Sequence, residues 1–479
     1  MNLINKFVVI SGLALFAITT QAAEKPNVIY IMIDNWGWGD VSYNGGETPT
    51  PNIDQLANEG IKFQNYNIQN QCTPSRAAMH TGRLPIRSGT DSVPLFNTEM
   101  DGLAPEEYTI AELLADSGYA TAMYGKWHIG SREERRPHNQ GYDEFWGFLH
   151  SSNDAAFTTS KGWELAKMET PYIYQGKKGK KSEKVVVFDR GIKMMHDDTI
   201  TTKAIKWINE QIDDNKPFYT YVAFASFHPP LDVNPKFSEA TGAGLYEDTK
   251  LDVDYQIGRI AKALKSKGML DNTIFIVAGD NGTMIYGDGP AKKEGQAYSG
   301  SNGHWRGGLS TAFEGGMRTP AFMRYGKKVK SGQTTDEIVS DLDWYSTIAQ
   351  LTGNKAKVPT DRVIDSIDQS EFILGNTKNS PRDYVVQFVG KEIYAVKWKN
   401  FKFHTQYVNK TDGPSYKPAF PLVYDLENDP TESKNIWVSD GYAHTWITHP
   451  VGQIIFKTMS SMEKCPNTPT GGEYVSCNQ

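Results

Sequence analysis

Several polar side chains stand directly after short apolar runs of the chain, where predicted strands end. The runs are continuous and rich in β-branched residues, which is typical of strands buried on both faces of a parallel sheet. Ligands of open α/β sheets bind outside the carboxyl ends of the strands, so we expect these side chains to meet in space. They are Asp34 and Asn35 after residues 28–33, Lys126 and His128 after 119–124, His228 after 218–225, and Asp280 and Asn281 after 273–278.

The two Asp-Asn pairs together offer two carboxylates and two side-chain amides. An all-oxygen set of this kind favours Ca²⁺ or Mg²⁺ and disfavours Zn²⁺, which prefers imidazole and thiolate ligands. A single Asp-Asn pair most often marks a turn, and a single histidine most often fills a structural position. Their recurrence at the strand ends of one predicted sheet favours a metal site.

Cys72 precedes a predicted helix that starts at Thr73 and Pro74 and is ended by Gly82. The free N–H groups of a helix N-terminus favour anions, and Arg76 lies one turn further along. An ordinary buried cysteine beside a helix also fits the pattern. These residues alone predict either a thiol of lowered pKa or an anion site, and they leave both open.

The elements that must position these residues alternate between strand and helix. Residues 50–60 form a capped helix, and in 109–117 Thr109 and Glu112 complete a capping box. Residues 248–267 form a long amphipathic helix. Strands that alternate with helices predict an α/β fold with helices on both faces of the sheet.

The last hundred residues follow a different pattern. Short strands succeed one another there at turn spacing, without long helices between them, which predicts a smaller α+β subdomain with an antiparallel sheet. We therefore expect a catalytic domain over 24–375 and a C-terminal subdomain over 380–479. The predicted strands are 384–389, 393–398, 401–404 and 422–424.

Composition narrows the class of protein further. The 479 residues carry 50 Lys and Arg against 56 Asp and Glu, a net charge of −6, so no global basic field is present to hold nucleic acid. Three cysteines are too few for a disulfide scaffold. The lysine-rich segment 177–184 is either a solvated hairpin tip or a basic rim facing an anionic polymer. The composition is that of a large, aromatic-rich globular protein, and most such proteins are enzymes.

The N-terminus has the pattern of a cleaved secretory signal over residues 1–22. Lys6 precedes an apolar run over 7–18, and Ala22 and Ala23 are the small residues typical of a signal-peptide cleavage site. The run is shorter than the roughly 20 residues that a membrane span needs, and no cysteine follows it to carry a lipid. We therefore expect a periplasmic or secreted protein without a membrane anchor.

The sequence resembles a known family, the type I sulfatases of the alkaline-phosphatase superfamily. The segment from Cys72 to Arg83 resembles the sulfatase modification motif, and residues 125–130 resemble the family's second motif. The likeness extends from about Pro26 to about Ile436. It implies a large, mixed, mostly parallel sheet sandwiched by helices. Further similar segments are 50–63, 139–148, 279–282, 314–320 and 424–436.

The resemblance implies an enzyme in which a maturase oxidises Cys72 to formylglycine (3-oxoalanine). The hydrated aldehyde, a gem-diol, would attack the sulfur of a Ca²⁺-bound sulfate ester, and its second hydroxyl would then release the sulfate by elimination. A serine or cysteine would instead leave a sulfate ester that needs hydrolysis. The expected substrate of such an exported sulfatase is sulfated carbohydrate or polysaccharide.

The resemblance also implies roles for individual residues. Arg76 and Lys126 would hold the diol and offset the sulfate charge. His128 would assist proton transfer from the diol, and His228 would protonate the leaving oxygen. One Ca²⁺ would be bound per active site. Its ligands would be Asp34, Asn35, the modified Cys72, Asp280 and Asn281.

Two positions depart from the family pattern. Asn35 stands where an aspartate is commoner, and Leu309 stands where many relatives have a lysine that contacts the sulfate. His304 or Arg306 are the candidates to reach the same oxygens. The family's substrate-side serine matches either Ser151 or Ser152.

Two other functions stay open, and the departures at Asn35 and Leu309 are the reason for the second of them. The first is a phosphonate monoester or phosphodiester hydrolase of the same superfamily. The second is a catalytically inactive, sulfatase-like binding protein.

The modification motif uses Cys72, so two cysteines remain, Cys465 and Cys477. An exported protein meets an oxidising compartment in which thiols pair, and we therefore expect these two to form a disulfide.

Overall fold

The computed structural model describes residues 25–94, 102–284, 292–293, 296–297, 300–411 and 413–477. The signal peptide expected over residues 1–22 lies outside the described residues. Within the described part of the chain, we find no helix with the length and apolar character that a bilayer crossing demands.

Twenty strands belong to the described part of the chain. They are β1 (Asn27–Ile33), β2 (Ile61–Phe63), β3 (Tyr66–Asn67), β4 (Ala120–Lys126), β5 (Glu144–Phe148), β6 (Tyr172–Lys177), β7 (Glu183–Val187), β8 (Phe218–Phe224), β9 (Thr273–Gly279), β10 (Lys292–Lys293), β11 (Gln296–Ala297), β12 (Ala321–Arg324), β13 (Gln333–Thr335), β14 (Val339–Ser340), β15 (Tyr384–Val389), β16 (Glu392–Trp398), β17 (Phe401–His404), β18 (Tyr407–Val408), β19 (Ser415–Tyr416) and β20 (Leu422–Asp425).

The α-helices of the described residues range from four to 22 residues in length. They are α1 (Pro51–Asn58), α2 (Cys72–Thr81), α3 (Ile110–Ala115), α4 (Trp163–Ala166), α5 (Arg190–Met194), α6 (His196–Asp213), α7 (Leu245–Ser266), α8 (Glu314–Met317), α9 (Asp343–Leu351), α10 (Ser370–Ile373), α11 (Ile436–Ser439) and α12 (Thr448–Lys464).

The larger sheet has ten strands in the order β13-β2-β12-β9-β1-β8-β4-β5-β6-β7. Its centre, β9-β1-β8-β4-β5, is parallel throughout, and antiparallel pairs occur toward both edges. All residues of β1, β8 and β9 are buried, as their continuous apolar sequences predict. The mixed, mostly parallel sheet expected from the sequence is therefore confirmed.

Helices cover both faces of this sheet, and β1 shows how the two faces are built. Tyr30 and Met32 pack into one apolar cluster, with side chains of α2, α3 and α9. Ile31 and Ile33 pack into the other, with side chains of α1, α6 and α7. Alternate residues of a strand point to opposite faces, so one apolar strand supplies both cores.

The C-terminal region forms the separate antiparallel sheet that the sequence predicts, in the order β15-β16-β17-β20. Helix α12 packs with this sheet and was not predicted from the sequence. Val386 and Val451 lie in one apolar cluster with Ala78 of α2 and with Leu84. The C-terminal unit therefore packs against the helix that begins at Cys72. The domain bounds 24–375 and 380–479 stay a prediction.

A buried ion network joins the two units around Glu314, the first residue of α8. Lys397 and Lys402, on β16 and β17, each place Nζ 2.6 Å from a Glu314 carboxylate oxygen. Arg318 pairs with the same carboxylate. Burial disfavours the charged form of Glu314, but these three cations hold its pKa well below the usual range. The pairing joins α8 to the C-terminal sheet.

The C-terminal tail is held by a disulfide and by the body of the protein. Cys465 and Cys477 are bonded, with their Cα atoms 4.4 Å apart, as expected. Within the loop that they close, the backbone N–H of Thr468 donates to Arg87 O, and Arg135 donates to the carbonyls of Gly471 and Gly472.

The lysine-rich segment 177–184 is the exposed turn of the β6–β7 hairpin.

Candidate active site

The strand-end residues predicted to converge meet at the carboxyl edge of the parallel strands. Asp34 follows β1, Lys126 ends β4, and Asp280 follows β9, and all three side chains are fully buried. Helix α2 starts at the same edge, so its first residue, Cys72, faces this group. Asp34, Cys72 and Asp280 offer ligand atoms that all lie within 4.8 Å of one another.

Two buried ion pairs organise the cluster. Lys126 Nζ lies 2.7 Å from Asp34 Oδ2, and Arg76 Nη2 lies 2.7 Å from Asp280 Oδ2. Arg76 also donates through Nη1 to the backbone O of Lys126 at 2.9 Å. Each carboxylate thus has its own cation, and this pairing offsets part of the cost of burying four charges.

Cys72 is 5% exposed, and its Sγ lies 3.1 Å from Nδ1 of His128. Thr73 Oγ1 donates to the backbone O of His128 and fixes the two segments against each other. Burial raises the pKa of the Cys72 thiol to about 11, despite the nearby positive charge of Lys126. Of the two possibilities left open by the sequence, the thiol of lowered pKa is therefore wrong.

Unusual backbone conformations bring the side chains into place. Asn35 and His128 have φ values of 55° and 62°, in the left-handed region that residues other than glycine rarely adopt. Gly125, just before Lys126, has φ 113°, and a Cβ there would lie 1.9 Å from the backbone O of Ala223. Only glycine lets β4 approach β8 this closely.

The residues at this site fit a hard divalent cation. Asp34 Oδ1 and Asn281 Oδ1 are buried acceptors without a hydrogen-bond donor among the described residues. Buried acceptors are costly unless a partner such as a cation or ordered water meets them. Asn281 also donates to Asn35 Oδ1 at 2.7 Å, which ties both Asp-Asn pairs into one group. Oxygen donors of this kind suit Ca²⁺.

The two carboxylates respond to their surroundings in opposite directions. Burial alone would raise the pKa of Asp34, but Lys126, His228 and Arg76 lower it to about 2. Burial and the charge of Asp34 raise the pKa of Asp280 to about 6, although Arg76 opposes the shift. Like charges this close disfavour each other's ionisation, and a bound cation would favour the charged form of both.

His228 is half-buried and close enough to Asp34 for the two charges to interact. Its Nδ1 donates to the backbone O of Pro229 at 2.7 Å, which leaves Nε2 to face Ser151 Oγ at 3.1 Å. Ser152 instead is buried and donates to Asp34 Oδ2. The structure thus distinguishes the two serines, which the sequence could not: Ser151 contacts His228, and Ser152 hydrogen-bonds to Asp34. Burial lowers the pKa of His228 to about 4, although Asp34 acts in the opposite direction.

The structure does not bring Arg306 to this cluster. Its guanidinium donates to the backbone O of Glu432 at 2.7 Å and to Asn409, so it faces the C-terminal region. The His304 ring packs against Trp305 and Trp38, with ring centroids 4.2 and 5.4 Å apart, and is exposed. Leu309 offers no charge, and its backbone bonds to Thr283 and Thr411.

Two buried ionisable residues near the cluster were missed from the sequence. Lys193 on α5 is 6% exposed, and its charge acts on Asp34 and His228. Asp154 is 4% exposed and lies in the 3₁₀ helix Ser152–Thr159. Neither follows a predicted strand, so the strand-end pattern carried no signal for them.

Two family models match the chain. The model described as Sulfatase matches residues 26–354. The model described as N-sulphoglucosamine sulphohydrolase, C-terminal, matches residues 310–451. Together they cover the larger sheet, the clustered residues and most of the C-terminal unit.

Similar proteins and structures carry the same description. The N-acetylgalactosamine-6-sulfatase of Mus musculus is 30% identical over 462 residues, 88% of this chain and 84% of that protein. The steryl-sulfatase of Rattus norvegicus is 26% identical, over 94% of this chain and 92% of that protein. The crystal structure of PsFucS1 sulfatase from Pseudoalteromonas sp. superposes with a TM-score of 0.84 at 30% identity, covering 93% of this chain and 92% of that chain.

Proposed function

Since the chain belongs to the sulfatase family and is a sulfuric ester hydrolase, we propose that it is an exported enzyme that removes sulfate from carbohydrate. It uses a formylglycine made from Cys72 and one bound Ca²⁺. The observation that carries this proposal is the position of Cys72 at the start of α2, beside His128 and the two buried carboxylates.

The implied groups would occupy this cluster. Asp34, Asn35, Asp280 and Asn281 would hold the ion together with residue 72. When bound, Ca²⁺ would supply positive charge to the sulfate oxygens, and the formylglycine would supply the nucleophilic oxygen.

The remaining residues of the cluster position the reacting groups and transfer protons. Lys126 and Arg76 keep the carboxylates in place through their ion pairs and add positive charge where the sulfate binds. His128, with Nδ1 3.1 Å from the side chain at 72, receives a proton from that side chain. His228 Nε2, beside Ser151, gives a proton to the leaving oxygen. The anionic substrate favours the protonated imidazole, which burial alone disfavours.

The role of His228 predicts a dependence on the leaving group. An aryl oxide leaves without much help, whereas a sugar alkoxide needs a proton from an acid. His228→Gln should therefore lower kcat far more for a sulfated sugar than for 4-nitrophenyl sulfate. Equal losses on both substrates would remove His228 from the role of acid. His444→Gln, on a half-buried histidine of the C-terminal region, is the matched control.

The principal test of the proposed function combines mass and activity. Protein produced with a formylglycine-generating maturase should carry the aldehyde at residue 72, detected by the mass of the peptide, and should hydrolyse 4-nitrophenyl sulfate. Unmodified Cys72 in such a host would favour the inactive binding protein. Faster turnover of phosphate diesters or phosphonate monoesters than of sulfate esters would favour the alternative hydrolase.

Export is the last part of the proposal. The signal pattern over residues 1–22 supports it. Sequencing the N-terminus of protein recovered from the periplasm or medium should find a new start after Ala22 or Ala23. Retention of the full N-terminus inside the cell would contradict export and leave the catalytic proposal untouched.

A further inference from the structure

His228 stands at the end of a short segment that follows β8 and is held by backbone hydrogen bonds. The backbone N–H of Asp34 donates to Ser226 O at 3.0 Å, and the N–H of Phe227 donates to Asp34 O at 2.8 Å. The N–H of His228 donates to Ala225 O at 3.3 Å and closes a turn. The segment that carries the proposed acid is therefore tied to the end of β1.

The carboxylate of Asp197, the second residue of α6, holds the same segment through three donors. Its Oδ1 accepts from the backbone N–H of Ala225 at 2.9 Å. Its Oδ2 accepts from the backbone N–H of Ser226 at 3.2 Å and from the hydroxyl of the same residue. The bonds to Asp34 are backbone bonds, which a substitution there does not remove. Asp197 is therefore the side chain whose replacement releases the segment.

Asp197 is an ionised carboxylate with a fixed orientation. It is 5% exposed, and His196 Nδ1 donates to its Oδ1 at 2.9 Å. The His196 ring packs against Phe148, with ring centroids 5.1 Å apart. Burial alone would raise the pKa of Asp197, but the hydrogen bonds from His196, Ser226 and Ala225 lower it. An ionised carboxylate only accepts hydrogen bonds, and each of these partners is a donor.

The place of this segment decides how far the His228 imidazole reaches. The ring has two contacts of its own, from Nδ1 to Pro229 O at 2.7 Å and between Nε2 and Ser151 Oγ at 3.1 Å. These contacts orient the ring, whereas the bonds to Asp197 fix the backbone two and three residues before it. An acid must lie within hydrogen-bond reach of the atom that it protonates, and a displacement of about 1 Å can lower a rate about a hundredfold.

Resting on the proposed function, we propose that Asp197 is a positioning residue for the protonation of the leaving oxygen. Its carboxylate holds Ala225 and Ser226 so that Nε2 of His228 stays within reach of that oxygen. Asp197 acts through His228 and makes no contact with the reacting atoms. A leaving group that departs without a proton makes no use of it.

Turnover of two substrates with different leaving groups tests this inference. Both carboxylate oxygens of Asp197 face a backbone N–H, so the amide NH₂ of Asp197→Asn must oppose one of them. This variant should lower kcat for a monosulfated hexose about tenfold to a hundredfold, and for 4-nitrophenyl sulfate by at most about threefold, because an aryl oxide needs little protonation. Asp198→Asn, at a half-buried neighbour that binds Arg259 of α7, is the matched control and should change neither rate.

A double variant distinguishes positioning from a general weakening of the fold. On the sulfated hexose, Asp197→Asn combined with His228→Gln should be no slower than His228→Gln alone, because both substitutions remove the same contribution. Ser226→Ala removes the hydroxyl bond to Asp197 and keeps the backbone bond. It should show the same dependence on the leaving group, with a smaller loss, and it decides the question if Asp197→Asn does not fold.

The outcomes separate the inference from the function on which it rests. Equal losses of kcat on both substrates in Asp197→Asn, or losses that multiply in the double variant, would overturn the role of Asp197. Equal losses in His228→Gln would refute the acid through which it acts. Failure of formylglycine-bearing wild type on every sulfate ester would instead refute the proposed function.

Discussion

Lys126 Nζ lies 2.7 Å from Asp34 Oδ2 in a fully buried ion pair at the centre of the proposed active site. Removal of one partner of a buried pair leaves an uncompensated charge, which typically destabilises by about 3 kcal/mol or more. Asp34 here also lies close to the second carboxylate, Asp280. The pair therefore combines a structural and a proposed catalytic role.

Lys126→Met should abolish turnover and lower the free energy of unfolding by about 3 kcal/mol. Chemical denaturation measures the stability, and 4-nitrophenyl sulfate measures the activity. Lys178→Met, in the exposed β6–β7 turn, should change neither quantity. Wild-type stability in Lys126→Met would show that the ion pair contributes nothing to the fold.

Cys72→Ala should lower kcat by at least about a thousandfold, as loss of a nucleophile does, while the thermal transition stays close to that of wild type. The packing changes by one sulfur atom, so the fold has little reason to respond. Cys72→Ser should be equally inactive unless the host maturase accepts serine. Retention of a tenth of the wild-type rate by Cys72→Ala would refute the proposed mechanism.

Chelation should remove activity, and Ca²⁺ should restore it, because two carboxylates and two amides suit a hard cation. Elemental analysis of active enzyme should find one calcium per chain. Asp280→Asn should weaken calcium binding, read from the thermal shift on adding the metal, because one ligand charge is lost. Stoichiometric zinc in active enzyme would contradict the assignment.

Asp252→Asn should change how stability depends on pH. Burial raises the pKa of Asp252 to about 7, although Gln256 donates to it. The folded state therefore holds this proton more tightly than the unfolded chain, and the resulting stabilisation is lost between about pH 4 and 7. Asparagine has no such loss and still accepts from Gln256.

The stability of Asp252→Asn relative to wild type should thus rise by about 1 kcal/mol or more from pH 4 to 8. Thermal unfolding at a series of pH values measures this difference. Asp214→Asn, at an exposed position, serves as control. A difference that is flat with pH would mean that Asp252 is ionised normally in the folded protein.

Replacing both Cys465 and Cys477 by serine should loosen the tail with little loss of activity. A loop of this size contributes at most about 3 kcal/mol, and the bonds from Arg135 to Gly471 and Gly472 still hold the tail. Limited proteolysis should cut the variant near its C-terminus sooner than wild type. Recovery of the two cysteines as separate alkylated peptides from native protein would refute the bond.

Local pattern explains why so much of the fold was predictable. The capping box of Thr109 and Glu112 forms as expected at the start of α3, and the strands 384–389 and 401–404 begin and end where the sequence places them. Apolar runs and caps act over a few neighbouring residues, so they can be read along the chain. The strand-end residues followed from the same patterns because parallel strands share one carboxyl edge.

Only the tertiary structure decided which groups meet. The sequence could not assign Lys126 to Asp34 and Arg76 to Asp280, and it could not distinguish Ser151 from Ser152. It left open a thiol of lowered pKa at Cys72, whereas burial in the folded protein raises this pKa. Such outcomes depend on the order of strands in the sheet and on the depth of each side chain. Both are set by contacts between residues far apart in sequence, and electrostatic interactions follow distance and burial rather than position along the chain.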